Sequence, residues 1–408
     1  PRSTLFPYTT LFRSPQRSKQ GRRALLILDD LWIMYGAMRL VYLSPVPWDS
    51  FDQRPHQFVE WCRVRHGASV LWIDPYPTRL PDASDLRRLC RLERPVAACP
   101  PRGHAPGAVR VLRPRSFPVE PLPGLRQANR PLWRGVLREV DAFVSGGGAV
   151  LGVGKPSRLA LEILSRHPGV PSFYDAMDNF PAFYTGLSRR SMQRCESAVE
   201  DRADRIVVSS TERARRFARH AGRLSKALNA CASDRLPQPR LAGPPDARPV
   251  LGYVGTIGHW FDWGLVTSLA EANPRVSVRL VGPVHVPPPG PLPGNVELLP
   301  PRAHAEALLL MREFSAGLIP FKLTELTASV DPIKYYEYRS LGLPVVSTGF
   351  GEMALRRSEP GVFILDGDAH PSRIAEAALS WRCGVDEVMD FRAENSWEAR
   401  FDASFVLP

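Results

Sequence analysis

Two doubly wound α/β domains in tandem, with a cleft between them, are the architecture that the sequence predicts. Three observations carry this. Short apolar runs alternate with helix-length segments from Met38 to about residue 235, the alternation stops in the proline-laden LPQPRLAGPPDARP of 236–249, and it restarts at Val250. Apolar runs of four or five residues without polar alternation suit parallel strands buried on both faces. A chain of 408 residues with 44% hydrophobic content is long enough for two such cores.

The elements follow in order. Pro1–Ser14, PRSTLFPYTTLFRS, has no sustained period and resembles translated adapter sequence more than a targeting peptide. Residues 1–37 are therefore expected to be a non-native or disordered leader, with Met38 as the start. The first domain, 38–235, is predicted to have strands at Leu40–Leu43, Ser69–Ile73, Val109–Leu112, Ala149–Val153, Ser172–Tyr174 and Arg205–Val208. Helices are expected between them near 54–66, 125–140, 157–166, 186–201 and 211–221. The stretch 236–249 has too little apolar content to pack and reads as a linker. The second domain, 250–385, is predicted to have strands at Val250–Val254, Val276–Val281, Val296–Leu299, Ala316–Ile319, Val345–Ser347 and Val362–Leu365. The last segment, 386–408, reads as helical and able to cross back to the first domain.

Composition narrows the class. No uncharged apolar run approaches the roughly 18 residues of a membrane span. The six cysteines are scattered, with no CxxC pair, so neither a disulfide framework nor a zinc site is suggested and a reducing cytoplasm fits. The net charge of +12 is uneven: residues 38–235 hold 32 basic against 19 acidic side chains, and residues 248–408 hold 14 against 19. A basic first domain suits an anionic surface, either phosphate-bearing lipid or nucleic acid.

The polar residues concentrate where open α/β sheets bind ligands, at the carboxyl ends of strands. The stretch AGLIPFKLTELTASVDPIKYYEYRSLGLPVVST, 316–348, places a strand, a charged loop, a helix and a strand in one run. Asp331 and Pro332 read as its helix cap and first helical residue, and Gly342 as its stop. Lysine is rare, with five in the chain, and Lys322 and Lys334 both fall in this run. Lys334 sits in a first helical turn, where the macrodipole does not favour a cation for stability. Glu337 shares its face, placed to pair with Lys334 or to accept from sugar hydroxyls. After the strand at 250–254, Gly255, Thr256 and Ile257 lie in a G-x-x-G-x-x-G run whose free N–H groups suit a diphosphate, and the spacing is not the dinucleotide fingerprint. The run GGGAVLGVGKP at 146–156 is no P-loop, since Ala149 stands where the first glycine belongs and Pro156 where a Ser or Thr would hold magnesium.

In the first domain Asp175 and Asp178 follow a strand; carboxylates there suit sugar hydroxyls, and Asp178 suits proton transfer. Asp49, Gln53, Arg54 and His56 form a second polar cluster at a helix entry, with Arg54 suited to an anionic group. Ser209-Ser210-Thr211 reads as a helix cap.

VGTIGHWFDW, PFKLTELTASVDPIKYYEYRSLGLPVVST, PWDSFDQRPHQF, YDAMDNFPAFY and DRADRIVVSST together resemble the group 1 (family 4-like) glycosyltransferases of the GT-B fold, and among them the teichuronic-acid and exopolysaccharide biosynthesis enzymes. The resemblance covers about residues 38–400. It implies a nucleoside-diphosphate sugar as donor substrate, no cofactor, no metal, transfer with retention, and a polysaccharide or lipid-linked acceptor. Donor binding falls by the same resemblance to the backbone of Gly255, Thr256 and Ile257 with Lys322 or Lys334 at the diphosphate, and to Glu337 at the ribose. Read from the residues themselves, catalysis falls to Asp178 and Lys334, and acceptor binding to Gln53, Arg54, His56 and Asp175. The family pattern has two glutamates separated by seven residues, and Ser329 stands where the first belongs, so Asp331 is the substitute for its donor-sugar contact. The expected location is the cytoplasm, free or peripheral at the inner face of the plasma membrane, with the basic first domain on anionic lipid and no nucleic-acid partner. The competing readings are a nucleotide-sugar epimerase or hydrolase on the same fold and a non-catalytic anion- or nucleic-acid-binding protein.

Overall fold

The computed structural model describes residues 38–50, 52–81, 105–125, 127–239, 248–366 and 370–404. The leader 1–37, residues 240–247 of the linker and the tail 405–408 lie outside the described residues.

The first sheet contains β1 (Arg39–Leu43), β2 (Ser69–Ile73), β3 (Val109–Leu112), β4 (Ala149–Val153), β5 (Ser172–Ala176), β6 (Arg205–Val208) and β7 (Leu224–Lys226). Its order is β3-β2-β1-β4-β5-β6-β7 and every pair is parallel. Around it lie α1 (Arg54–His66), α2 (Arg130–Val144), α3 (Arg158–Arg166), α4 (Gly186–Arg202) and α5 (Thr211–Arg216). The strand β7 has no counterpart in the sequence reading. It is a three-residue edge strand, LSK, with no apolar run to announce it. The helix expected over 211–221 ends at Arg216 and continues as a 3-10 turn, Ala218–Arg223.

The second sheet repeats the plan with β8 (Val250–Val254), β9 (Ser277–Val281), β10 (Val296–Leu299), β11 (Ala316–Ile319), β12 (Val345–Thr348) and β13 (Val362–Leu365), in the order β10-β9-β8-β11-β12-β13. Its helices are α6 (Trp263–Ala272), α7 (His304–Met311), α8 (Ile333–Ser340), α9 (Gly351–Leu355) and α10 (Pro371–Ser380). Both sheets follow the doubly wound order in which the strand sequence reverses at the centre, between β1 and β4 and between β8 and β11. A crevice opens at that reversal, at the carboxyl ends.

The last two helices, α11 (Val385–Glu394) and α12 (Trp397–Ser404), return to the first domain. Trp397 and Phe401, one turn apart on α12, enter the core beneath α1 with Phe58 and Trp61. Phe401 is fully buried, with ring centroids 5.5 Å from Phe58 and 5.6 Å from Trp61, and the Trp61 indole N–H donates to Asp402 at 2.9 Å.

Two buried ion pairs flank the segment that leaves the first domain. Arg54 bonds Asp175 at 3.2 Å and donates to the Ala227 carbonyl at 2.7 Å. Two residues on, the Asn229 N–H donates to Asp331 Oδ2 at 2.7 Å, and Asp331 in turn meets Arg356 at 2.8 Å and the Tyr336 hydroxyl at 2.9 Å. Asp331 therefore does not cap the helix as the sequence suggests. The helix starts at Ile333, and the Asp331 carboxylate is spent on tying the two domains together. Thr211, at the start of α5, also bonds Glu352 of α9 through both its N–H and its hydroxyl.

Replacing Phe401 by alanine is expected to lower stability by about 3–5 kcal/mol, the cost of truncating a buried aromatic. Urea unfolding followed by tryptophan fluorescence reads it. An unchanged midpoint would mean that the returning helix contributes nothing to the first domain's core.

Candidate active site

The interdomain cleft encloses about 450 Å³ and is lined from the first domain by Asp52, Gln53 and Phe183, with the rest of the wall from the second domain. The second domain's share comes from five places: the end of β8 and the loop after it, the turn after β9, the loop leading into α7 with that helix's inner face, the loop after β11 with Phe321, Leu326, Thr327 and Val330, and the first turns of α8. These are carboxyl ends of strands and amino ends of helices. The topology alone brings them together.

Gly255 is the pivot of the loop after β8. Its φ of 144° is a backbone conformation that side-chain-bearing residues rarely adopt, and a Cβ there would lie 2.5 Å from Lys334 Cε and 2.6 Å from its Nζ. The Lys334 ammonium is thus seated against the Gly255 main chain, 5.4 Å from the centre of the Tyr253 ring. Gly282, with φ of 140°, lets the turn after β9 press on the same loop, for a Cβ there would stand 2.2 Å from the Gly255 carbonyl oxygen. Burial lowers the Lys334 pKa, and Glu337 opposes the shift. A cation held in a half-dry seat without a bonded carboxylate favours an incoming anion.

The amides differ from the sequence expectation. Gly255 N–H donates to Val281 O at 2.8 Å and Ile257 N–H to Pro283 O at 2.9 Å, continuing the β8–β9 pairing beyond the strands. Thr256 is left as the one of the three whose N–H has no acceptor among the described residues. The Ile257 side chain is fully buried in the core.

Glu337 lines the cleft one turn after Lys334, its side chain 12% exposed, and accepts from His304 Nε2 at 2.9 Å. The Glu337 bond raises the His304 pKa, burial opposes it, and Asp52 across the cleft adds to the rise. Trp260 also lines the cleft, whereas its neighbour Phe261 is a core plug.

The remaining residues singled out from sequence lie elsewhere. Lys322 is exposed on the loop after β11, outside the cleft lining. Asp331 is buried in the interdomain contact. Ser329, the position of the missing glutamate, is also buried. Of the four acceptor candidates, Gln53 lines the cleft. Arg54, His56 and Asp175 offer it no surface: Arg54 and Asp175 are consumed by each other, and the His56 ring lies 4.9 Å from that of Trp72 with Nε2 3.2 Å from the Trp48 carbonyl. Asp178 is half-buried beyond the cleft lining. Burial pushes its carboxyl above the ordinary range; Arg213 opposes this and Asp175 adds to it.

The sequence reading missed His304, Asp52 and the Gly282 turn. A lone histidine after a proline-arginine pair carries no spacing signal. Asp52 and the Gly282-Pro283 pair did sit at strand-end loops, where a search by position would have found them.

No protein-family model matches this chain, and no curated sequence does. Solved structures match along most of it. AviGT4, a glycosyltransferase involved in avilamycin A biosynthesis, superimposes with a TM-score of 0.54 at 13% identity over 90% of this chain and 95% of its own. HepE from Anabaena in complex with UDP gives 0.55 at 13% over 90% and 98%. The lipopolysaccharide outer core galactosyltransferase WaaB gives 0.54 at 11% over 90% and 97%. The fold is GT-B. In GT-B terms the two sheets are the paired Rossmann-like domains, and the cleft described above is the groove between them.

Asp178→Asn tests the strained carboxylate. A carboxyl whose folded pKa is raised weakens the fold as pH climbs from the unfolded value near 4 through the folded one. The amide escapes that penalty, so the variant is expected to melt higher than wild type at pH 7 and to lose this advantage near pH 3.5. Equal melting temperatures across the range would show that the Asp178 carboxylate carries no burial cost.

Proposed function

We propose that the protein is a glycosyltransferase that moves a sugar from a nucleoside-diphosphate sugar to an acceptor hydroxyl. The observation that carries this reading is the convergence of the Lys334 ammonium, the Gly255 main chain and the Glu337 carboxylate on one wall of the GT-B cleft. HepE, solved in complex with UDP, and WaaB, a galactosyltransferase, have the same fold and lend it support.

The proposed division of labour follows from charge. When the sugar leaves, negative charge grows on the β-phosphate, and Lys334, the Thr256 N–H and the amino end of α8 are the groups aimed at that region. Transfer by this route is metal-independent. Glu337 accepts from the ribose hydroxyls. The acceptor enters from the first-domain side, past Gln53 and Phe183, and closure of the cleft excludes water. Asp178 is kept as a candidate for proton transfer that must move to reach the cleft. The basic first domain suits a glycan or lipid-linked acceptor presented at an anionic membrane face, and retention at the anomeric carbon is taken from the family resemblance.

Thermal-shift and saturation-transfer measurements against a panel of nucleoside diphosphates and nucleotide sugars, with and without EDTA, test the reading. A selective hit that survives chelation is expected. Lys334→Ala should weaken it about ten- to a hundredfold without lowering the melting temperature, since a hydrogen bond to a charged group contributes roughly 1.5–3 kcal/mol. Full affinity in that variant would remove Lys334 from the site. Release of altered or free sugar without added acceptor would favour an epimerase or hydrolase.

A further inference from the structure

We propose that His304 is a positioning residue: it fixes the Glu337 carboxylate so that its free oxygen reads the ribose hydroxyls of a nucleoside diphosphate. This rests on the nucleotide-sugar reading and adds to it a named basis for recognising ribose. His304 opens α7 and Glu337 lies on α8, so the two helices face each other across one end of the cleft. The carboxylate can only accept, so at 2.9 Å the His304 Nε2–H is the donor and Glu337 Oε1 the acceptor. The Glu337 carboxylate makes no other hydrogen bond among the described residues. Oε2 therefore remains free beside the cleft, with lone pairs suited to a vicinal diol.

An unclamped glutamate in this place would rotate and would stand as a bare anion facing an anionic ligand. The imidazolium removes both problems at once. The charged groups around His304 come from every neighbouring element: Glu337 and Lys334 from α8, Asp52 from the loop before α1, Arg235 from the segment leaving the first domain, and Arg302 and Glu306 from its own loop and helix. Glu337 and Asp52 favour the proton, and burial and Arg235 oppose it, with a net rise above the ordinary histidine value. Asp52 belongs to the opposite domain and is itself ion-paired to Arg235. As pH rises through the raised value the imidazolium is lost, and ribose recognition is expected to weaken with it.

The test is calorimetric titration of the full chain with uridine, guanosine and adenosine 5′-diphosphates and their 2′,3′-dideoxy counterparts between pH 6 and 9. The ratio of ribo to dideoxy affinity cancels the titration of the phosphates themselves. The expected ratio is about tenfold at low pH, falling as pH rises. His304→Phe, similar in bulk without a donor, should bring the ratio to about one at every pH. His304→Gln should keep a preference for ribose that no longer changes with pH, and Lys334→Ala should weaken both ligand series alike. An unchanged ratio in His304→Phe, with binding still dependent on Lys334, would overturn the inference and leave the nucleotide-sugar reading standing. Should His304→Phe fail to fold, a ratio in His304→Gln that still falls with pH would overturn it equally. Absence of any diphosphate binding would remove both.

Discussion

The structure depends on a line of buried charge that crosses from one domain to the other. Asp175 at the end of β5 holds Arg54, Arg54 holds the Ala227 carbonyl, and two residues further the Asn229 N–H is held by Asp331, which is paired with Arg356 beneath α8. Asp175, Arg54, Ala227, Asp331 and Arg356 are almost fully buried, and Asn229 is half-buried. Such pairs contribute little net stability over an apolar replacement, yet removing one partner strands a charge in the interior. Their effect is geometric: the crossing segment is pinned on both sides, so the carboxyl ends of the two sheets face each other and a cleft exists.

The wall of that cleft follows from two close approaches of main chain. Gly255 and Gly282 each adopt a φ that an L-residue resists, and each lies where a Cβ would collide. The loop after β8 is therefore welded to the turn after β9 by hydrogen bonds that extend the sheet. Two amides that sequence reasoning offered to a ligand are consumed in the process. What this arrangement presents instead is a side-chain cation, the Lys334 ammonium, supported by a ring and by glycine backbone. Lysine suits that task because a compact ammonium on a flexible stem reaches a seat too narrow for a guanidinium.

Polar residues at strand ends divide by what lies beneath them. Arg54, His56, Asp175 and Asp331 stand at the same kind of position in sequence as Gln53, Lys334 and Glu337. The first group points into contacts between elements and the second into the gap. Tyr42 and Tyr336 show the rule from the other side, since each buried hydroxyl is placed to satisfy one of these carboxylates, Asp175 at 3.1 Å and Asp331 at 2.9 Å. A buried carboxylate needs such partners, and the chain supplies them from distant positions.

The sequence by itself determined the architecture. Continuous apolar runs of four or five residues separated by helix-length segments can bury both faces only as parallel strands between helices, so most strands fell where the apolar runs lie and the edge strand β7, lacking one, was not legible. It also determined that Lys334, Glu337 and the Gly255 loop stand at the ligand-binding ends of strands, because strand polarity fixes which loops share an edge. The tertiary structure decided which polar groups face the cleft, which amides remain free, and that His304 stands beside Glu337. Those outcomes depend on contacts between residues tens to hundreds of positions apart, and local periodicity holds no record of them.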